Sequence, residues 1–343
     1  MDTKNVVIVG ATGAVGKAMI KCLDNLEFPV GNLRLVASER SKGKVVKTSF
    51  GEITLETISD EVFESSDIAL FSAGGDISRE WRDRVVAADC LMIDNSSAFR
   101  YEYDVPLVVP EINPDAAREH NGVIANPNCT TAIAAVVLWP LHEAFGLKKV
   151  IISTYQATSG AGAKGMQELL DQTRDVLEES EGNPLKVSKC HVEPRAFAHP
   201  IAFNIIPHID KFQKNGYTKE EMKVTWETHK IFGDDSIAVS CTAVRIPTLR
   251  AHSESIVIET EKSVSVDEAR EVLEDSDGVK VVDNPDDELY PMPLEASGKS
   301  GVRVGRIRQN IVFGENGLEF FISGDQLLKG AALNAVQIAK LFV

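Results

Sequence analysis

The sequence predicts an α/β protein: a Rossmann-type doubly wound parallel sheet, joined to an α+β domain with a mixed sheet. Three observations carry that expectation. Short β-branched runs alternate with helical segments through the first third of the chain, and several are apolar almost throughout, as parallel strands buried on both faces must be. From residue 201 onwards the runs change to alternating character, as in mixed or antiparallel sheets with one solvated face. At 343 residues the chain exceeds what one hydrophobic core usually organises, so two domains are expected.

In chain order, strands are predicted at 6–9, 33–38, 53–58, 68–72, 90–94 and 123–125. The segment AVGKAMIKCLDNL between the first two has apolar residues at helical spacing. A helical run, AIAAVVLWPLHEAF, follows Cys129, and a long strand, VIISTYQATSG, spans 150–160. The helix expected over 164–179 gathers Met166, Leu169, Leu170, Thr173, Val176 and Leu177 on one face. A polar irregular stretch leads to IAFNIIPHI, SIAVSCTAVRIP and SESIVIETE, read as strands of the second sheet. The last segment, DQLLKGAALNAVQIAKLF, reads as an amphipathic helix returning to the first domain. The expected division is therefore 1–129 completed by 325–343, and 130–324.

Composition excludes several classes. A 43% hydrophobic and 25% charged chain is ordinary for a globular protein, and no apolar run approaches the roughly 20 residues of a membrane helix. The N-terminus enters a strand almost at once, which leaves no room for a signal peptide. Five cysteines without CxxC spacing suit a reducing cytoplasm, and no metal site is expected. A net charge of −15 argues against nucleic acid and anionic membranes as partners. A small anionic substrate remains compatible, because a few focused Arg and Lys residues can dominate one pocket.

Strand VVIVG runs into GATGAVG, placing Gly10, Gly13 and Gly16 at a strand-to-helix turn, with Thr12, Ala14 and Val15 between them. Glycines there let the backbone approach a pyrophosphate, which the helix N-terminus then attracts. GxxGxxG is a variant of the usual fingerprint, and glycine also serves plain turns; its position after an N-terminal parallel-type strand favours a dinucleotide. The second strand ends LVASERSKGK, where Ser38, Arg40 and Ser41 suit a 2′-phosphate, so NADP is expected over NAD. Glu39 would point away in an extended segment, and a solvated charged loop is the alternative. Ser72 and Gly74 end a further strand at the same sheet edge and could line the cofactor.

The stretch IANPNCTT places one thiol between a strand and a helix. A helix N-terminus favours thiolate, and the amides of that turn can hold an oxyanion once the thiolate attacks a carbonyl. The alternative is a buried structural cysteine, the reading preferred for Cys22, Cys90 and Cys241 amid apolar neighbours. A thiolate beside a nicotinamide implies redox between an acyl group and an aldehyde through a thioester.

Taken with SSAFR, NPNCTT, TYQATSGAG, ETHKI, RIPTLRAHSE, VGRIRQN and KGAALNAVQIA, which follow in order over almost the whole chain, GATGAVG resembles the bacterial-type aspartate-semialdehyde dehydrogenases. That resemblance implies NADPH-dependent reduction of β-aspartyl phosphate to aspartate semialdehyde and phosphate, for lysine, threonine and methionine synthesis. It implies an NADP-binding domain over 1–129 with 325–343, and a catalytic and dimerisation domain over 130–324. By position, Cys129 would be the nucleophile, His252 the general acid/base, and Gln156 the residue orienting substrate and thioester oxygen. Arg245 would bind the substrate carboxylate and Glu227 its amino group; Arg100, Lys230 and Asn128 would hold phosphate. Ser159, Gly160 and Gln326 would lie near the nicotinamide, with Gln326 standing where the family more often has asparagine. The resemblance also implies a homodimer or homotetramer.

Two alternatives stand beside this reading. N-acetyl-glutamyl-phosphate reductases use the same cysteine chemistry, but an N-acetyl group has no ammonium for Glu227 to bind. A catalytically silent NADP-binding protein acting through partners finds no positive support, since every catalytic position is filled.

Overall fold

The computed structural model describes residues 2–343, which cluster into two compact units. Of the described residues, the first comprises those up to 136 with 227–234 and 327–343; the second comprises 137–226 and 235–326.

The first unit begins with β1 (Lys4–Val9), α1 (Ala14–Asn25) and β2 (Val30–Val36). It continues through a hairpin, β3 (Val45–Thr48) and β4 (Gly51–Thr54), then α2 (Asp60–Glu64), β5 (Ile68–Phe71) and α3 (Gly75–Ala87). β6 (Leu91–Asp94), β7 (Val123–Ala125) and the start of α4 (Cys129–Phe145) follow. The parallel sheet runs β2-β1-β5-β6-β7, so chain order reverses between β1 and β5, directly beside the glycine turn. Alternate residues serve opposite faces. Ile8, Leu70, Ile93 and Ile124 join the core that α1 fills with Met19 and Leu23. On the other side Phe71 stacks on Phe63 of α2, which meets Trp81 of α3.

The expected strand at 53–58 is different in the structure. Its first residues form the β3–β4 hairpin, a separate two-stranded sheet, and only an isolated Val36–Glu56 bridge touches β2. The turn decides this: Gly51 has φ +107°, and the Thr48 hydroxyl donates to Gly51 O (2.8 Å), folding the segment back antiparallel.

The second unit contains β8 (Leu147–Gln156), α5 (Gly162–Glu179), most of α6 (Lys219–Phe232), β9 (Ala238–Arg245) and β10 (His252–Thr260). α7 (Val266–Glu274), β11 (Val279–Val281), α8 (Pro293–Ala296), β12 (Val302–Gln309) and β13 (Gly317–Gly324) complete it. The mixed sheet runs β11-β12-β13-β10-β8-β9, with antiparallel ladders at the centre and parallel pairs at both edges. α6 starts in a reciprocal cap: Glu221 accepts from Thr218 N (2.6 Å) while the Thr218 hydroxyl accepts from Glu221 N (3.3 Å).

The run IAFNIIPHI is not a strand. Pro200 precedes it and Pro207 interrupts it, Phe203 sits at φ +56°, and one bridge, Ile206 to Arg245, is its whole ladder among the described residues. Ile201, Ala202 and Ile206 pack on Leu169 of α5 instead. The terminal segment also divides: residues 328–332 form a π-turn, and α9 (Leu333–Lys340) follows within the first unit, packing on α1.

On β10, His252, Glu254, Ile256 and Ile258 share one buried face. Glu254 is 0% exposed and, among the described residues, neither carboxylate oxygen has a hydrogen-bond partner. Burial holds its pKa well above the ordinary carboxylate value. The folded state therefore binds this proton more tightly than the unfolded state. Stability from this group is present below about pH 4.3, the unfolded value, and is lost as pH rises from there. Replacing Glu254 by Met is expected to raise stability by about 1–3 kcal/mol at pH 7.5, with the gain shrinking towards pH 4.5 in thermal melts.

Candidate active site

Each unit carries part of the predicted constellation. In the first, Gly10 (φ +92°) and Gly16 make the nucleotide-type turn. A Cβ on Gly10 would lie 2.4 Å from Ser72 O, and one on Gly16 would lie 2.4 Å from Gly10 O. Only hydrogen fits at either position. Gly13 caps α1 in extended conformation, so Ala14, Val15 and Gly16 supply first-turn amides that lack an intrahelical acceptor. Thr12 lies in the same turn, and Gly74 (φ +96°) caps α3 just after Ser72.

Residues 39–41 form one 3-10 turn that starts from Ser38, whose carbonyl accepts from Ser41 N (2.8 Å). Glu39 and Arg40 therefore diverge by a third of a turn rather than pointing opposite ways. Ser38 and Arg40 are exposed and Ser41 is half-buried.

Cys129 opens α4 and is partly exposed. Asn128 is the helix cap: its Oδ1 accepts from Thr130 N (3.0 Å) and Thr131 N (3.3 Å). Any donation to an anion must come from its Nδ2, the one donor on that side chain. Glu227 is fully buried; its Oε2 accepts from Asn128 N (2.5 Å) and its Oε1 from Tyr101 Oη and Arg100 Nη1 (both 3.1 Å). Arg100 also donates from Nε to Asn126 O (2.8 Å) and from Nη2 to Asn95 O (2.9 Å). Burial, the largest single influence, lowers the Arg100 pKa, but Glu227, Tyr101 and Cys129 together outweigh it and hold the guanidinium above its ordinary value.

Lys230 is used differently from the expectation. Its Nζ donates to the carbonyls of Arg100 (2.9 Å), Glu102 (2.7 Å) and Val105 (2.8 Å), which accounts for all three of an ammonium's protons. In this structure it ties the loop bearing Arg100 to α6, one turn after Glu227.

Gly330, in the π-turn, abuts Cys129: a Cβ there would lie 2.6 Å from Cys129 Cβ. A buried network holds that turn. Lys329 pairs with Glu111 and donates to Asn334 (2.7 Å) and Gln337 (3.0 Å). Asn334 donates to Asn126 (2.6 Å), whose amide donates to Asn95 (2.8 Å). Gly330→Ala must displace Cys129 or the turn, so kcat is expected to fall about 10- to 100-fold, with the cofactor KM less affected, in initial-rate kinetics.

In the second unit, register brings three predicted residues into one row. Gln156 pairs with Arg245 across β8–β9, the β8–β10 register puts His252 opposite Gln156, and His252 pairs with Gly324 on β13. Parallel and antiparallel ladders thus align Arg245, Gln156 and His252 on one face.

His252 is 0% exposed. Its Nδ1 accepts from Ala157 N (3.1 Å), and among the described residues Nε2 has no partner. Burial, then the nearby Arg245 charge, holds its pKa well below the ordinary imidazole value. With Nδ1 accepting, the neutral ring carries its proton on Nε2. Arg245 Nη1 donates to Ala157 O (2.7 Å), so one residue, Ala157, fixes both side chains. Gly160 is required alongside, since a Cβ there would lie 2.7 Å from Arg245 Nη1. Gln156 Nε2 has long contacts to Thr154 Oγ1 and Glu220 Oε1 (3.4 Å each).

Gln326 is absorbed by the framework: Oε1 accepts from Ala251 N (2.8 Å) and Nε2 donates to Ser159 Oγ. Ala251 is in the left-handed region (φ +69°), immediately before His252, so the longer amide steadies a strained residue beside the imidazole.

Tyr101, Glu254, Lys329 and Gly330 were not singled out from sequence. Glu254 could have been, because an acidic residue on the apolar face of SESIVIE shares its side with His252. Gly330 could not, because its role is a contact with a residue 201 positions away.

Among the described residues, no group of three or more metal-ligating side chains forms, none of the cysteines is in a disulfide, and no helix is long and apolar enough to cross a membrane.

The two-unit architecture is that of the semialdehyde dehydrogenases. Residues 5–120 match the family described as "Semialdehyde dehydrogenase, NAD binding domain", and 138–329 match "Semialdehyde dehydrogenase, dimerisation domain". The aspartate-semialdehyde dehydrogenase of Aquifex aeolicus is 50% identical, over 98% of this chain and 97% of its own length. That of Bacillus subtilis is 46% identical over 98% and 96%. The solved aspartate semialdehyde dehydrogenase II of Vibrio cholerae, complexed with ASA, superposes with TM-score 0.93 at 43% identity, over 100% of this chain and 98% of that one. The Candida albicans enzyme with NADP shares the fold (TM-score 0.74, 24% identity, covering 99% and 98%). This chain belongs to the aspartate-semialdehyde dehydrogenase family, a family of oxidoreductases.

Proposed function

We propose that this chain catalyses the reversible NADPH-dependent reductive dephosphorylation of L-4-aspartyl phosphate to L-aspartate 4-semialdehyde and phosphate, for lysine, threonine and methionine synthesis. The observation that carries it is Cys129 on the capped N-terminus of α4, beside the buried Arg100–Glu227 pair.

Cys129 thiolate attacks the acyl carbon; a C–S bond forms, the bond to the phosphate oxygen breaks, and phosphate leaves towards Arg100 and the Nδ2 of Asn128. The positive end of the α4 dipole favours the thiolate and the developing oxyanion, while the amides of Thr130 and Thr131 stay with the Asn128 cap. Arg245 binds the substrate carboxylate in the paired geometry that arginine favours, and Glu227 takes its ammonium. Gln156 orients the thioester.

The cradle at Gly10 and Gly16 fits a pyrophosphate, because any Cβ would fill the space the backbone leaves open. Gly10, Thr12, Gly13, Ala14, Val15, Gly16, Ser72 and Gly74 would hold the cofactor, with Ser38, Arg40 and Ser41 at its 2′-phosphate and Ser159 and Gly160 near the nicotinamide. Bound NADPH supplies the reducing equivalents that convert the thioester to the aldehyde level. His252 Nε2–H donates to the oxyanion in both directions. A basic Nε2 would require a proton on Nδ1, where the Ala157 amide already points, so the donor role suits this geometry better than the base role.

Arg40→Ala is expected to raise the KM for NADP about tenfold and leave that for NAD little changed. Comparable wild-type specificity constants for the two cofactors would refute the assignment of Arg40 and Ser41.

The open face of the second sheet supports a homodimer or homotetramer, for it exposes Ile151 (46%) and Tyr155 (36%) on one side of β8. Light scattering would then read at least twice the 37.4 kDa chain mass.

The reaction is tested by following NADPH formation from aspartate semialdehyde, NADP and inorganic phosphate. A signal that does not depend on phosphate would sink the assignment.

A further inference from the structure

Two of the charges that the proposed reaction uses for recognition are, in this structure, spent on each other. Arg100 Nη1 lies 3.1 Å from Glu227 Oε1, with the arginine side chain 7% exposed and the glutamate 0%. Glu227 has no idle oxygen: Oε1 also accepts from Tyr101, and Oε2 accepts from Asn128 N. Arg100 is fixed at its other two nitrogens by main-chain carbonyls, which neutralise nothing. Among the described residues, the one carboxylate hydrogen-bonded to the guanidinium is therefore the group assigned to the ammonium.

We infer that Glu227 gates Arg100, so that the substrate's ammonium group and phosphate bind with positive coupling. With no ammonium present, Glu227 faces the guanidinium, offsets its charge and disfavours a phosphate dianion beside it. An ammonium arriving at Glu227 neutralises the carboxylate, and the guanidinium then presents a full positive charge to phosphate. Burial makes the exchange strong, because water screens neither partner. Lys230 does not substitute for Arg100, as its three protons are taken by carbonyls. An aldehyde or acyl group lacking the amine would thus meet a weakened phosphate site, which gives selectivity for 2-amino substrates through the leaving-group pocket as well as through direct contact. By linkage, phosphate must strengthen amine binding by the same factor.

The inference rests on the assignment of Arg100 to phosphate and Glu227 to the ammonium, and the test separates the two claims. Inorganic phosphate is titrated calorimetrically into the full-length protein alone, with saturating L-2-aminobutyrate, or with butyrate, which lacks the amine. Aminobutyrate is expected to tighten phosphate binding about tenfold, within the usual range of coupling, and butyrate to leave it unchanged. Glu227→Gln, which keeps the shape and removes the charge, is expected to bind phosphate about tenfold more tightly than wild type and to ignore aminobutyrate. Phosphate affinity indifferent to aminobutyrate in the wild type overturns the gate without using any variant. Tightening by butyrate and aminobutyrate alike also overturns it. If Arg100→Ala binds phosphate as well as wild type does, or wild type binds none in any arm, the assignment of the site itself fails and the gate with it.

Discussion

Cys129→Ser is expected to lower kcat for phosphate-dependent aldehyde oxidation by about 1,000-fold or more, with little loss of folding stability. A helix N-terminus favours a nearby anion by about 0.3–1 kcal/mol, less than one pKa unit. That suffices to enlarge the thiolate fraction of a cysteine whose ordinary pKa is about 8.5, but it leaves an alcohol protonated. Serine keeps the shape of the first turn of α4 and the Asn128 cap, so the protein should melt near the wild-type temperature. Mass spectrometry should find an acyl adduct on Cys129 of the wild type when phosphate is withheld, and none on the variant. A serine enzyme retaining a tenth of the activity would place the nucleophile elsewhere. Cys22, Cys90 and Cys241 are poor replacements: all are buried, and burial pushes the Cys90 thiol up to about 12 and Cys241 well above its ordinary value.

His252 gives the second large effect, and here the choice of substitution carries the information. His252→Ala removes the one Nε2–H donor and is expected to cost about 10²–10³ in kcat, the usual loss for an oxyanion donor. His252→Gln restores an N–H but cannot exchange a proton near neutral pH, so recovery to within about tenfold of wild type would establish donation as the main contribution. Equal losses in both variants would instead establish proton transfer. The pH dependence has a definite sign. His252 is held neutral, with a folded pKa well below the unfolded value of about 6.5. As pH falls below about 6.5 the unfolded chain takes up a proton that the folded chain refuses, so stability is full above that value and declines below it. The decline reaches at most about 1.4 kcal/mol per pH unit. Urea melts between pH 7.5 and 5.5 should show this slope in wild type, with that contribution absent from His252→Gln.

Much of the molecule could be read from the chain. The parallel first sheet, the glycine turn and the helix after Cys129 follow from local rules, because buried strands must be apolar and only glycine fits at Gly10 and Gly16. The row of Arg245, Gln156 and His252 was legible only as three separate motifs. What aligns them is the register of β9, β8 and β10, set by ladders between segments up to 96 residues apart in sequence, as Gln156 and His252 are. The misread strands at 53–58 and 201–209 have β-compatible residues. A glycine in the left-handed region diverts one, and two prolines with a left-handed Phe203 divert the other.

The sequence by itself determined the two-sheet architecture, the glycine turn and the choice of Cys129 as the thiol to propose, since hydrophobic periodicity, glycine sterics and helix-end chemistry all act locally along the chain. Tertiary structure alone decided how the buried charges are spent: Lys230 on three carbonyls, Glu227 on Arg100, Gln326 on Ala251, and Glu254 on no partner among the described residues. A charged side chain's partner depends on which distant groups burial brings within hydrogen-bond reach, and no local pattern encodes that distance.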